Sequence, residues 1–250
     1  MSHLNPRDFL LEVAKGTIPG HALRNLFGVN LDVDLTSETI WSAGGIYVFP
    51  TAARIHSVVS TSALDTAAGT GARTVRLEGL DTTGVTITET VILAGVVPVL
   101  TVASFLRINS FVVLTAGTGG FPAGIITATA AVDTTVSAQI EVGKNVANQL
   151  VYTVPLAKRA ILLHVIAGSL RNSASNANIE FSFRTRALGG LFVDGVGFTT
   201  NLSGDSHLQL PIKAGAVWPA QTDVMGMAIS SQTNSDVSGL VQILIVDDGA

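Results

Sequence analysis

The five histidines are the residues of this chain best suited to acid–base or metal chemistry. They are His3, His21, His56, His164 and His207. No two of them have the i, i+2 spacing of a strand or the i, i+4 spacing of a helix that would bring two ligands to one metal ion. His164 lies in an apolar stretch, where a role in the core or at an interface is expected. The sequence therefore predicts no metal site built on histidine.

Nucleophilic catalysis has no recognisable motif in this sequence. The chain has no cysteine, which rules out a thiolate nucleophile, a disulfide and a cysteine zinc site. It also has no Gly-x-Ser-x-Gly elbow. The two glycine-rich stretches, 69–73 and 117–120, lack the Lys-Ser/Thr ending of a phosphate loop and precede predicted strands rather than helices. We therefore predict no catalytic residues, no cofactor-binding residues and no enzymatic activity.

Aspartates near glycines are the remaining candidates for ligand chemistry. Asp32 and Asp34 are two residues apart, and Asp65 and Asp81 each lie close to a glycine-containing turn. Calcium needs several oxygen ligands that converge on one point, and acids spaced in this way are common on solvated strand faces. We expect no metal site, although the sequence leaves calcium binding by one of these loops open.

The composition favours a protein whose surface is covered by other subunits. Apolar residues make up 47% of the 250 residues and charged residues only 13%, about half the usual charged share. The net charge of −4 argues against a nucleic-acid groove, which needs clustered Lys and Arg. The longest apolar stretch, residues 91–100, is interrupted by Gly95 and Pro98 and is far shorter than the ~20 residues of a membrane span. Neither a nucleic acid nor a membrane is an expected partner, and no secretion signal is recognised at the N-terminus.

Alternating apolar and polar residues predict strands along most of the chain. Residues 85–93 show the pattern most clearly, with Val85, Ile87 and Glu89 alternating with threonines. Clusters of Gly, Asp and Thr separate the runs, which is typical of a β-sandwich or jelly roll. The predicted strands of the first half are 55–59, 74–77, 85–93, 105–114, 124–130 and 136–141. Those of the second half are 150–155, 159–169, 179–186, 207–211, 222–229 and 240–246, with a hairpin at 188–192.

The start of the chain carries the clearest helix signal. Asn5 can serve as the N-cap with Pro6 at the first helical position, and Gly16 follows the end of the helix. A helix of about ten residues is marginal alone in water and must pack on something. Packing on its own β domain and reaching out to a neighbouring subunit are both expected possibilities. A second helical turn is predicted at 20–27, closed by Gly28.

The predicted fold class is all-β, with two antiparallel β-sandwich, jelly-roll-like domains and a short N-terminal helical arm. The predicted boundaries are 1–30 for the arm, 31–143 for the first sandwich domain and 144–250 for the second. We find no residue-level repeat between the halves.

Several segments of the chain resemble structural proteins of tailed-bacteriophage virions. The resemblance is carried by Gly20–Gly28 with its Asn-x-Phe-Gly ending, by the Thr-x-x-x-Ile-Trp stretch of Thr36–Trp41 and by Tyr47–Pro50. The stretches at 60–66, 69–75, 78–81 and 105–109 continue it. In the second half, Tyr152–Pro155 and Asp223 just before a strand are similar to sandwich modules of such proteins. The resemblance covers most of the chain and brings no catalytic residues.

The resemblance implies a non-enzymatic virion component that is assembled in the bacterial host cytoplasm. Its expected partners are copies of itself, in a trimer or ring, and other virion proteins of the capsid, of the portal and neck, or of the tail. Its expected role is capsid decoration, a neck component or the anchoring of an appendage. The alternative is a receptor- or glycan-binding module of a tail or fibre, whose site would combine Trp218, Asp223 and the 171–178 loop.

Aromatic and apolar side chains are the candidates for subunit contacts. On the arm they are Phe9, Leu10 and Val13, and elsewhere they are Trp41, Tyr47 and Trp218. For each of them the alternative is ordinary packing in the core of the same chain.

Overall fold

The computed structural model describes residues 6–171, 177–202, 206–211 and 216–249, which contain one helix and seventeen strands. In the first half the elements are α1 (Pro6–Ala14), β1 (His21–Val33), β2 (Glu38–Thr39), β3 (His56–Ser60), β4 (Ala72–Leu80), β5 (Thr86–Ile92), β6 (Val99–Leu100), β7 (Arg107–Ala116), β8 (Ile126–Ala130) and β9 (Val136–Ile140). In the second half they are β10 (Val151–Thr153), β11 (Lys158–Arg171), β12 (Ala177–Ala187), β13 (Val193–Leu202), β14 (Ser206–Pro211), β15 (Val217–Trp218), β16 (Thr222–Ser230) and β17 (Ser235–Asp247).

The strands form four antiparallel sheets. Sheet 1 has the order β1-β17-β11-β14, with β15 also on β11, and sheet 2 has the order β10-β16-β12-β13, with β2 also on β16. Sheet 3 has the order β6-β3-β8-β9, and sheet 4 has the order β5-β4-β7. The prediction of an antiparallel, nearly all-β protein is confirmed, and each of the twelve predicted strand runs overlaps an observed strand. The jelly-roll-like path of each sandwich stays a prediction.

Two separate hydrophobic cores match the two pairs of sheets. Core 1 contains residues of sheets 1 and 2, such as Leu162 and Ile243 from one and Ile179 and Phe181 from the other. Core 2 contains residues of sheets 3 and 4, among them Val58, Ile126, Leu77 and Phe111. Burial of one face of each sheet against its neighbour supplies the main hydrophobic stabilisation.

Residues 21–28 are the first part of strand β1, so the predicted helical turn at 20–27 is wrong. β1 pairs with β17 from His21 opposite Val246 to Val33 opposite Ser235. The inward-facing positions Leu26, Gly28 and Asn30 are buried. At Gly28 a Cβ atom would come within 2.2 Å of the Ile40 carbonyl oxygen, so only glycine allows this close approach. The glycine that had indicated a helix end therefore marks a crowded strand position.

Sheet membership also differs from the predicted N-terminal boundaries. β1 and β2 belong to sheets 1 and 2, together with strands of the second half. Residues 21–33 and 38–39 thus pack with a part of the chain that lies about two hundred residues further on, whereas core 2 draws on residues 58–147. The division near residue 143 stays a prediction.

The predicted arm helix is present and packs on its own chain. α1 spans Pro6–Ala14, and Gly16 follows it with a φ of 75°. The proposed N-cap Asn5 lies outside the described residues. Val13 is buried against Leu244 and Val246 of β17, and Phe9 lies partly buried beside them. The helix therefore covers one end of the outer face of sheet 1.

Candidate functional site

The two halves of the chain meet at the outer face of sheet 2. Trp41, Tyr47 and Phe49, from the segment between β2 and β3, form a buried cluster there with Met225 and Met227 of β16. Their rings contact each other edge to face, with centroids 5.0 Å apart for Trp41–Tyr47 and 4.9 Å for Tyr47–Phe49. The Tyr47 hydroxyl donates a hydrogen bond to the Ser137 carbonyl oxygen of β9. Burial in this cluster raises the pKa of Tyr47, so its hydroxyl stays protonated and remains a donor.

A buried ion cluster lies beside these aromatic rings. Arg107 of β7 donates from Nε to Asp223 Oδ1 at 2.8 Å and from Nη2 to Oδ2 at 2.9 Å. Arg186 of β12 donates from Nε to Asp223 Oδ2 at 2.9 Å, and the Thr153 hydroxyl donates to Oδ1 at 2.7 Å. Asp223 is fully buried and Arg107 is 3% exposed. A carboxylate removed from water in this way depends on these four hydrogen bonds for its stability.

The same arginine reaches backbone carbonyls of the first half. Arg107 Nη1 donates to the carbonyl oxygens of Pro50 and Leu106. Its guanidinium carbon lies 5.2 Å from the centre of the Phe49 ring, and that of Arg186 lies 5.3 Å from it. The two cations thus share one carboxylate and one aromatic ring, which fixes their position at the junction of the halves.

Further hydrogen bonds extend this junction along β7 and β10. The Asn109 side chain donates to the Thr153 carbonyl oxygen and accepts from the Thr153 backbone N–H, at 2.8 and 2.9 Å. Arg24 of β1 donates to Glu78 of β4 at 2.6 Å, and its guanidinium lies 5.1 Å from the centre of the Tyr152 ring. Directional bonds of this kind specify one relative orientation of the two halves.

A cleft of about 410 Å³ opens beside the ion cluster. Arg107 and Arg186 are the charged residues of its lining. The other lining residues are Pro50, Thr51, Ala52, Ala53, Thr82, Leu106, Leu188 and Gly189. A second cleft, of about 350 Å³, lies beside Trp218 and has no ionisable side chain in its lining. Of these two larger clefts, only the first therefore has charged groups in its lining that could bind a ligand.

The second candidate surface is an exposed apolar rim, which we define as residues 91–104. This segment has no charged residue and connects β5 to β6, which are edge strands of sheets 4 and 3. Its side chains Ile92, Val96, Val97, Leu100 and Val102 are all more than half exposed, Val102 at 91%. Glu89 holds the end of the rim, since its two carboxylate oxygens accept the backbone N–H groups of Val102 and Ala103, both at 2.8 Å. The rim is thus a fixed apolar surface at a sheet edge, the kind of surface that marks interaction sites.

The six predicted interface residues divide into two groups. Trp41, Tyr47 and Trp218 are buried inside the chain, the first two at the junction and the third in core 1. Their side chains have little area left for a partner, because core packing uses it. On the helix, Phe9 and Leu10 are half-buried and Val13 is buried, so only Phe9 and Leu10 keep partly open surface.

The residues predicted for the alternative receptor or glycan site do not come together. Trp218 lies in core 1, whereas Asp223 is fully buried in the ion cluster at the junction. Most of the 171–178 loop, residues 172–176, lies outside the described residues. An acid whose oxygens are occupied by two arginines and a threonine cannot bind a sugar hydroxyl, so Asp223 is not the recognition residue that the sequence suggested.

The candidate metal and acid–base residues have structural contacts instead. Asp65 is fully buried and accepts hydrogen bonds from the Ser60 hydroxyl and from the backbone N–H groups of Ala72, Ala123 and Gly124. His56 is buried, with Nδ1 3.0 Å from the Arg54 carbonyl oxygen and Nε2 2.9 Å from the Ser137 hydroxyl. Burial lowers the pKa of His56, which favours the neutral ring. Within the described part of the chain, no three His, Asp or Glu side chains are placed to hold a metal ion.

Sequence reasoning missed Arg107 and Arg186 as site residues. Arg107 is the first residue of β7, and the residues on either side of it, Leu106 and Ile108, are both buried. A charged residue in such a position needs a partner. That was the available signal. The partner Asp223 is 116 residues away in sequence, so the strand pattern alone could not identify it.

Comparisons with known proteins give distant structural similarity only. No protein-family model and no curated protein matches the chain. Among solved structures, the crystal structure of the infectious bursal disease virus VP2 subviral particle is similar at 9% identity and a TM-score of 0.27, over 96% of this chain and 78% of that one. The structure of the Gx strain of the same virus is similar at 11% identity and a TM-score of 0.26, over 96% and 77%. The structure of T=1 particles derived from infectious bursal virus is similar at 11% identity and a TM-score of 0.26, over 96% of this chain and 75% of that one.

TM-scores this low do not establish a common fold.

In the described residues, no helix is long and apolar enough to cross a membrane.

Proposed function

We propose that this chain is a non-enzymatic structural protein of tailed-phage virions that assembles through contacts between identical copies. The observation that supports this most strongly is the exposed apolar rim. Five large aliphatic side chains stand more than half exposed on a segment without any charge. A single soluble chain gains nothing from such a surface, whereas a subunit gains stability by covering it.

The energetics of burial favour a subunit contact there. Each Å² of apolar surface removed from water contributes about 25 cal/mol, and a contact of standard size covers roughly 800 Å² on each partner. The rim lies at the edges of sheets 3 and 4, where unpaired strand edges add backbone donors and acceptors. We expect a closed trimer or ring, because closed symmetry uses every copy of the contact and stops growth.

The place of such an oligomer on a particle is inferred from the resemblance of residues 20–28, 36–41 and 47–50 to phage virion proteins. In this proposal the oligomer docks on the capsid or on the head–tail apparatus, as a decoration, neck or appendage-anchoring component. Phe9 and Leu10 of α1 are the candidates for that contact, because they keep partly open surface.

The test is to locate the chain on particles. Particles are purified from a phage whose genome encodes this protein. They are labelled with an antibody against the protein and imaged by electron microscopy. Labels at regular, symmetry-related positions on head, neck or tail support the proposal. Intact particles that contain no copy of the chain would contradict it.

A receptor- or glycan-binding tail module remains the second candidate function. Its predicted residues Trp218 and Asp223 are buried in different places, so the cleft beside Arg186 is the described feature that favours it. Binding of the isolated protein to host-surface glycans would support this second candidate.

A further inference from the structure

The ion cluster at the junction carries an excess of one positive charge. Two guanidinium groups, Arg107 and Arg186, are paired with the single carboxylate of Asp223. Among the described residues, no other acid forms an ion pair with either arginine. A largely buried excess charge is costly unless an anion or water compensates it.

The excess charge resides on Arg186. Arg107 uses Nε, Nη1 and Nη2 in bonds to Asp223, Pro50 and Leu106. Arg186 uses only Nε toward Asp223, and its Nη1 and Nη2 atoms make no hydrogen bond to any described residue. The Arg186 side chain is 20% exposed, so part of it is open to solvent.

The Arg186 guanidinium is also held in a fixed plane. Its central carbon lies 4.3 Å from the centre of the Phe192 ring and 5.3 Å from that of Phe49. The bond from Nε to Asp223 sets the rotation within that plane. A planar fork that is already ordered loses little entropy when it binds a flat anion.

These free donors border the cleft of about 410 Å³. This volume lies in the range of small-molecule sites and is far larger than a single inorganic ion. The lining of the cleft also includes two exposed hydroxyl side chains from the first half, Thr51 and Thr82, and Gly189, which has no side chain. Clefts between two halves of a chain are common ligand sites.

We propose that this cleft is an oxyanion-binding site in which Arg186 Nη1 and Nη2 donate to two oxygens of a carboxylate or phosphate group. A guanidinium group can bind either anion through two parallel hydrogen bonds, because a carboxylate and a phosphate each present two oxygens at the spacing of Nη1 and Nη2. The rest of the ligand occupies the cleft beside Thr51 and Thr82. The site is independent of the rim, so it stands or falls separately from the proposed assembly.

Isothermal titration calorimetry at low salt tests the proposal, with D-glucuronate, uncharged D-glucose and inorganic phosphate as probes. We expect saturable binding of glucuronate or phosphate and none of glucose. Binding that only phosphate shows assigns the site to an inorganic oxyanion, and binding that glucuronate shows assigns it to an organic carboxylate. In either case we expect Arg186→Gln to weaken binding by about tenfold or more, since it removes charged hydrogen bonds.

Two further variants keep the test independent of folding. Thr82→Glu places a negative charge at an exposed position in the lining of the cleft without touching the ion cluster, and it is expected to weaken binding by a similar factor. Arg184→Gln is the matched control, because Arg184 lies on the same strand but pairs with Asp194 and does not line the cleft. Absence of binding of both anions to the wild-type protein, or binding to Arg186→Gln and to Thr82→Glu that is as tight as binding to the wild type, overturns the proposal.

Discussion

Arg107 and Asp223 form a bidentate, buried ion pair that joins β7 of the first half to β16 of the second. The two residues are 116 positions apart in the sequence, and both are almost completely removed from solvent. Arg107 also donates to the Pro50 and Leu106 carbonyl oxygens. The pair therefore connects three separate stretches of the chain and fixes how the halves meet.

Removing the charge of Asp223 should destabilise the protein strongly. Asp223→Asn leaves two guanidinium groups without a counter-charge, one of them buried. Breaking a buried pair by removing one partner typically costs about 3–5 kcal/mol. We expect a decrease of this size in the free energy of unfolding, measured by urea denaturation.

Asp194→Asn is the matched control for that measurement. Asp194 also pairs with an arginine of β12, Arg184, but its side chain is 69% exposed. Surface pairs contribute about 0–1 kcal/mol, so this variant should unfold close to the wild-type midpoint. Equal effects of the two substitutions would show that the buried pair has no special role.

Stability should depend on pH through His56. Nδ1 of this ring donates to the Arg54 carbonyl oxygen, and a neutral ring then accepts from the Ser137 hydroxyl at Nε2. Burial lowers the pKa of His56 in the folded protein relative to the usual value of about 6.5. As the pH falls below about 6.5, the unfolded chain binds this proton before the folded chain does, so the free energy of unfolding decreases until the pH passes the folded-state pKa.

The part of the pH dependence that His56 causes is obtained by measuring the free energy of unfolding against pH for the wild type and for His56→Gln. This variant is expected to be less stable at every pH, because it loses the ring contacts. Its stability should nevertheless fall less steeply than that of the wild type as the pH drops below about 6.5. At about pH 8 a histidine is neutral in both the folded and the unfolded chain. The free energies of unfolding of the wild type and of His56→Gln should therefore change with pH at the same rate there. Parallel curves throughout the acidic range would show that His56 does not cause the dependence.

The packing of α1 on its own sheet predicts that truncating two nearby apolar residues of the helix changes the free energy of unfolding by different amounts. Val13 is buried against Leu244 and Val246, whereas Leu11 is 54% exposed. Val13→Ala removes two buried methyl-sized groups and should lower the free energy of unfolding by roughly 1.5 kcal/mol. Leu11→Ala should change it little. If chemical denaturation instead shows the larger loss for Leu11→Ala, the helix packs through its other face.

Calcium removal should leave the folded protein unaffected. Both oxygens of Asp65 accept bonds from N–H and O–H donors, and such donors repel a cation. Asp81 accepts bonds from the Thr83 hydroxyl and from the backbone N–H groups of Thr83 and Val85, and the Thr83 hydroxyl bond is the main reason that its pKa is lowered. We expect no change in Tm on addition of EDTA or of excess calcium. A rise in Tm with calcium would reveal a site built from other oxygens.

The elements that depend on local pattern were predictable from the sequence. The α1 helix begins at Pro6 and ends before Gly16 as its end signals indicated. The strands with alternating residues, such as β5 and β12, were also found, because a half-buried strand shows a two-residue period. Their periods are read within one segment of the chain, so no knowledge of distant partners is needed.

The features that depend on distant partners were not predictable. Residues 21–28 belong to β1 because β17, more than two hundred residues later, pairs with them, and the glycine at position 28 makes room for the Ile40 backbone. The ion cluster likewise joins Arg107, Arg186 and Asp223 from three strands. In the sequence, each of these residues reads as an ordinary charged residue of a strand. Only the packing of sheet 2 on the first half brings them together.

Self-association through the rim is tested most directly by sedimentation velocity over a range of protein concentrations. The wild-type chain is compared with the double variant Val97→Asp/Val102→Asp and with Val132→Asp, which changes an exposed valine outside the rim. We predict that the wild type and Val132→Asp sediment as a trimer or larger ring, and that the double variant sediments as a folded monomer. A wild-type chain that stays monomeric at high concentration, or a double variant that keeps the wild-type oligomer, would contradict the account.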